Sequence, residues 1–275
     1  MTGDSILVPI ADGMLACRVV GDGPPVLLVH AYPLSSQIWR RQIADLADTH
    51  CVIAPDLFGF GESGVPAGGA SRPMAAYADD LATVLDHLDV DRPIVYVGVS
   101  MAGYIGWQFA TRHRDRLGRM ALACTKAAAD TSEFAAKREQ AAEKVLARGV
   151  DALRGTPRSL LGETTRSERP EIESEIAAII TQTDPRGVAA AQRGMAVRED
   201  FIGRLPSIDF PMLLIAGQED TFSPPEEMQA WAETIPGARF EVIARSGHLP
   251  MVEQPTAFGQ LLRDFLAADD ASAPP

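Results

Sequence analysis

The sequence predicts an α/β domain whose mostly parallel sheet carries helices on both faces and is interrupted by a helical insertion. Three observations carry this expectation. Short, continuously apolar runs such as Pro25–His30 and Ile94–Val97 suit strands buried on both faces of a parallel sheet. They alternate with helix-period segments through the first 125 residues, a pattern that implies right-handed crossovers. Between Lys126 and about Leu205 the strand runs vanish and Ala-, Glu- and Arg-rich segments replace them, after which the alternation resumes beyond Pro211.

The elements follow in order. Ser5–Ile10 and Met14–Val20 read as two strands of a hairpin around Asp12-Gly13. Pro25–His30 is the first buried strand, a helix covers about Ser36–Ala47, and Cys51–Ala54 is a second short strand. In the segment 74–88, Leu81, Val84, Leu85 and Leu88 fall at i, i+3, i+4 and i+7, one apolar helical stripe. Ile94–Val97 leads into a helix from Met101 to about His113, and Met120–Ala123 follows as a strand. Within the insertion, Phe134–Arg148 reads as helical, and Ile172, Ile176, Ile179 and Ile180 share one helical face. The last third predicts strand Met212–Ala216, helix Pro225–Ile235, strand Arg239–Ala244 and a closing helix Pro255–Leu266 before a frayed acidic tail, AADDASAPP. The expected division is a core of residues 1–125 and 206–275 with a helical lid of 126–205.

Composition narrows the function. The 275 residues are 46% hydrophobic and 23% charged, the balance of a globular chain. A net charge of −12 repels phosphate backbones and anionic lipid surfaces, so neither nucleic acid nor a membrane is the expected partner. Cys17, Cys51 and Cys124 lie in apolar strand-like stretches at no metal-ligand spacing and read as buried free thiols. With no basic n-region and apolar h-region near the start, they predict a reducing cytoplasm. No His/Cys cluster and no phosphate-binding glycine loop is present, so no metal and no cofactor is expected, and oligomeric state is left open.

The chemistry-bearing motif is Gly98-Val99-Ser100-Met101-Ala102-Gly103, placed between an apolar strand and a helix. A serine on so sharp a strand-to-helix turn needs tiny neighbours at −2 and +2, and Gly98 and Ala102 supply them.

With this elbow, the chain resembles the α/β-hydrolase family, in which an acid follows the next-to-last core strand and a histidine follows the last. The resemblance implies an α/β-hydrolase fold and points to Asp220, three residues after Gly217, with Glu219 beside it as the alternative acid, and to His248 in Ser246-Gly247-His248. It also implies an oxyanion hole made by the backbone N–H groups of Met101 and of Tyr32, the latter in His30-Ala31-Tyr32-Pro33, which resembles the family's His-Gly-x-Pro. His30 and Asp56 are read as structural loop residues. Serine rather than aspartate at the elbow implies acyl transfer to water through an acyl-serine, with Ser100 as nucleophile, His248 as base and Asp220 as its orienting acid.

The segment GVSMAGYIGWQFA (98–110), with Lys126–Asp130 and the later AAAQRGMAVRED (189–200), resembles bacterial carboxylesterases and 3-oxoadipate enol-lactonase-like hydrolases, which implies a small-molecule ester or lactone substrate. Arg138 and Arg193 are the candidate cations for a substrate carboxylate, weighed against solvated helix-face roles. Two alternatives share the fold: a cofactor-free perhydrolase of the non-haem haloperoxidase type, and a weakly catalytic small-molecule receptor.

Overall fold

A computed structural model describes residues 5–268. Residues 1–4 and the predicted frayed tail from Asp269 onward lie outside the described residues.

Eight strands form one sheet: β1 (Ile6–Ile10), β2 (Gly13–Val20), β3 (Pro25–Val29), β4 (Cys51–Pro55), β5 (Ile94–Val99), β6 (Leu117–Ala123), β7 (Met212–Gly217) and β8 (Arg239–Ile243). The helices are α1 (Arg40–Leu46), α2 (Met74–His87), α3 (Met101–Arg112), α4 (Ser132–Arg148), α5 (Thr156–Leu160), α6 (Glu163–Glu168), α7 (Pro170–Thr181), α8 (Pro185–Ala196), α9 (Pro225–Ala232), α10 (Pro250–Glu253) and α11 (Pro255–Ala267). The strand order is β1-β2-β4-β3-β5-β6-β7-β8. The β1–β2 and β2–β4 pairs are antiparallel and the remaining five are parallel. This is the mostly parallel, doubly wound sheet that the apolar runs predict.

The two-residue period of the strands divides the core. Leu27 and Val29 of β3, Tyr96 of β5 and Leu214 of β7 point to one face, where they meet Leu81 and Leu85 of α2 and Ile105 and Phe109 of α3. Val26 and Leu28, Val97 and Val99, and Leu213 and Ile215 point to the other, against Trp39, Phe258, Leu262 and Phe265 of the α1–α11 layer. Trp39 and Phe258 pack at a ring-centroid distance of 5.9 Å. Burying each such aromatic side chain stabilises the fold by about 1.5–3 kcal/mol.

Differences from the sequence expectation have local causes. The hairpin turn is Ala11-Asp12, one residue earlier than expected, because Gly13 already pairs with Ile10. The helix expected over Ser36–Ala47 begins as a 3₁₀ turn, Ser36–Trp39, before α1. Helix α9 stops at Ala232 rather than Ile235. Helix α8 was not expected. Its start is set by Asp184, whose side chain accepts from the Arg186 amide, and by Pro185 at the first helical position. Its buried positions are mostly small, Gly187, Ala189, Ala190, Ala191 and Gly194, so they do not stand out in the sequence as a stripe of large apolar side chains.

Helices α4–α8 lie between β6 and β7. They pack across the end of the sheet where the parallel strands finish: Thr183 Oγ1 donates to Pro33 O (3.2 Å), the Arg72 amide donates to Ala190 O (3.1 Å), and the His248 amide donates to Leu160 O (3.0 Å).

Candidate active site

Strand β5 ends in a turn tight enough to leave Ser100 at φ 58°, ψ −117°. A left-handed serine costs on the order of 1–3 kcal/mol and persists only where its surroundings over-determine it. Here they do. The Ser100 amide donates to Ala123 O (2.9 Å), and its carbonyl accepts from Thr125 Oγ1 (2.7 Å) and the Gly103 amide (2.8 Å). A Cβ at Gly98 would sit 3.0 Å from the Ala102 Cβ, so the −2 and +2 positions face each other and must both be small. At Gly103 a Cβ would come within 2.2 Å of Thr125 Oγ1. The serine side chain is left half-exposed at the mouth of the turn, with the N-terminus of α3 directly behind it.

Asp220 follows β7 and His248 follows β8, and both are 5% exposed. Asp220 Oδ2 lies 2.8 Å from His248 Nδ1, while Asp220 Oδ1 accepts from the amides of Phe222 (2.8 Å) and Ser223 (3.2 Å). Burial pushes the Asp220 carboxyl upward, but the His248 charge, its hydrogen bond and the two amides outweigh burial and hold it below the usual carboxylate range. The phenyl ring of Phe222 covers the imidazole at 5.1 Å between centroids. Glu219 turns away and accepts from the Thr164 amide (2.8 Å) and hydroxyl.

The two loops meet Ser100 through β6. Cys124, the residue after β6, donates its thiol to Gly247 O (3.7 Å) and brings Sγ within 4.8 Å of ligand atoms on Asp220 and His248. Burial pushes that thiol far up, so it stays protonated. Among the described residues the Ser100 hydroxyl makes no hydrogen bond to His248; such bonds are often long in ligand-free enzymes and tighten on substrate binding.

The loop after β3 carries Tyr32. His30 fixes it from beneath: Nδ1 donates to Ala31 O (2.9 Å), leaving Nε2 to accept from the Leu57 amide (2.9 Å). Burial holds this imidazole below its usual range, so it is a neutral structural residue. Asp56 anchors the neighbouring turn by accepting from the Ser36 amide (2.7 Å) and the Glu62 amide (2.8 Å). Neither the Tyr32 nor the Met101 amide has an acceptor among the described residues, which leaves both free to donate.

The expected cations have different settings. Arg138 of α4 is nearly buried, bonded to Asp130 and to Gln192 Oε1 (3.1 Å). Burial pushes the Tyr32 phenol up to about 12, against the pull of a Gln192 hydrogen bond and the Arg138 charge, so this arginine lies beside the Tyr32 loop. Arg193 spends its guanidinium on Glu139 (2.7 Å) and Gly69 O (2.7 Å). The sequence reading missed Arg198, which shares Asp130 (2.6 Å) and stacks 4.2 Å over the Tyr104 ring. Two guanidiniums therefore share one carboxylate, leaving a net positive charge.

Residues 24–255 match the family of the alpha/beta hydrolase fold. A thermophilic esterase from Thermogutta terrifontis, solved with malate bound, is 40% identical with a TM-score of 0.93, covering 97% of this chain and 99% of that one. The enol-lactonase of Burkholderia xenovorans LB400 is 25% identical with a TM-score of 0.86, covering 95% and 100%. The 3-oxoadipate enol-lactonase 2 of Acinetobacter baylyi is 28% identical over 244 residues, 86% of each chain. The elbow, the strand order and these matches agree: the chain belongs to the α/β-hydrolase fold family.

Proposed function

We propose that the protein hydrolyses small-molecule carboxylic esters or lactones through an acyl-enzyme on Ser100. The observation that carries this reading is the buried 2.8 Å contact between Asp220 and His248 at strand ends beside a strained, half-exposed Ser100. The 40% identical esterase and the two enol-lactonases support the choice of bond.

The chemistry follows from the geometry. Asp220 holds the proton on His248 Nδ1, which leaves Nε2 unprotonated and able to take the Ser100 proton as Oγ attacks the substrate carbonyl. The carbonyl oxygen becomes an oxyanion, and the amides of Tyr32 and Met101 are the donors we assign to it. The imidazolium, stabilised by Asp220, then returns the proton to the leaving alkoxide as the C–O bond breaks. Water repeats the sequence on the acyl-serine, releasing the acid and restoring Ser100. The segment 126–205 serves as a cap over a core of 1–125 and 206–275, excluding water from the site and setting which acyl and alcohol groups enter. Arg138, rather than Arg193 with its guanidinium spent on Glu139 and Gly69 O, is the cation that favours a carboxylate on the substrate.

A serine-directed phosphonate tests the assignment. It should add one adduct, mapped to Ser100, and Ser100→Ala should lower kcat by on the order of 10³–10⁶ toward p-nitrophenyl esters. An adduct on another residue, or unimpaired turnover by Ser100→Ala, would overturn the reading.

A further inference from the structure

Glu253 is a fully buried carboxylate that the acyl-transfer steps do not use. Burying a charge is costly unless every lone pair is met, and here each oxygen accepts. Oε2 takes the Gly162 amide (2.8 Å) and the Thr165 hydroxyl (2.7 Å), while Oε1 takes the amide of Leu249 (3.0 Å), the residue next to His248. The first two partners lie 91 and 88 positions away in sequence, so capping the four-residue helix α10 accounts only for the third.

The same short segment grips the active-site loops twice more. Leu160 O accepts from the His248 amide (3.0 Å), and Thr164 donates to Glu219, whose own amide donates to Ser246 O (2.7 Å). The backbones are in contact: a Cβ at Gly247 would lie 2.3 Å from the Gly162 nitrogen, and one at Gly162 would lie 2.7 Å from the Gly247 nitrogen.

We propose that Glu253, with Glu219, is a positioning residue that locks the His248 and Asp220 loops to residues 160–165, making this stretch a fixed part of the active-site frame rather than part of a moving flap. The proposal rests on the Ser100–His248–Asp220 reading. Glu253 bridges Leu249, beside His248, to Gly162 and Thr165, while Glu219, itself on the Asp220 loop, accepts from Thr164, so each catalytic loop is tied to the 160–165 stretch through a carboxylate.

The test is kcat/KM against pH on a p-nitrophenyl ester, per site labelled by phosphonate, for Glu253→Gln and Thr165→Val. The glutamine presents an NH₂ to donors that need an acceptor. Glu253→Gln should lower kcat/KM on the order of 10–100-fold, mainly through kcat, and move the acid limb of the profile, while every site still labels. Thr165→Val should do the same in smaller measure, and Thr165→Ser should recover most of that loss. A lower Tm with wild-type kcat/KM and an unmoved limb would overturn the proposal. If Glu253→Gln does not fold, Thr165→Val against Thr165→Ser decides on the same readouts. Ser100→Ala and Asp220→Asn run alongside: inactive controls beside unaffected Glu253 and Thr165 variants overturn this proposal alone, whereas active controls overturn the triad and the proposal with it.

Discussion

Asp220 and Glu219 are neighbouring carboxylates with different destinations, one on the His248 imidazole and the other on Thr164. Asp220→Asn should therefore lower kcat by on the order of 10³–10⁴ by leaving the imidazole in the wrong tautomer. Glu219→Gln, measured on the same ester, should cost no more than about 10-fold, the scale of a small misplacement. A larger loss at Glu219 would move the acid there. Asp220 also links pH to stability. Its folded carboxyl is held below the ordinary value near ~3.9, so the unfolded chain binds more protons between the two. The stabilisation is complete above the ordinary value and is lost as pH falls through the folded one. In denaturant unfolding, the gap between wild type and Asp220→Asn should be full at neutral pH and shrink below about pH 4. Ser100 was legible because a sharp turn imposes small residues at fixed offsets. Arg198 and Glu253 were not, because Asp130 and Tyr104 for the one, and Gly162 and Thr165 for the other, stand far away in sequence and no local pattern records them.

At the scale of elements, the strands were legible because burial on both faces leaves runs such as VLLV that few other structures require. The stripe of Ile172, Ile176, Ile179 and Ile180 likewise announced α7, all four being buried. Helix α8 escaped because most of its buried positions are alanine or glycine, and α5 and α10 because five and four residues are too few to show a period. The α4–α8 pair carries Arg138 and Gln192 to the Tyr32 loop. Arg138→Met should raise KM about 10-fold or more for an ester bearing a carboxylate, the loss of one charged hydrogen bond, and leave a neutral isostere of the same length near its original KM. Equal effects on both esters would remove Arg138 from substrate recognition.

Across the whole molecule, the one set of three clustered potential ligands among the described residues is Cys124, Asp220 and His248, two of which are the proposed acid–base pair. Activity should therefore survive dialysis against a chelator, and added thiophilic metal should inhibit rather than activate. Loss of turnover that added metal restores would show a required ion. No helix of the described residues is long and apolar enough to cross a membrane. The placement of α4–α8 between β6 and β7 has a consequence for folding. Those two strands pair in parallel, Met120 opposite Met212, so their ladder closes one of the longest loops in the chain. Loop-closure entropy grows only with the logarithm of length, about 0.6 kcal/mol for each doubling. Once so long a connection is closed, lengthening or trimming its middle barely changes the free energy of bringing β6 and β7 together. The bonds at 160–165 bear on the active-site loops, not on that closure. On chain entropy alone the β6–β7 pairing would tolerate a connection of another length; what ties the present segment to the sheet is packing, since Val188 and Met195 join one core cluster and Ile176 and Ile179 the other.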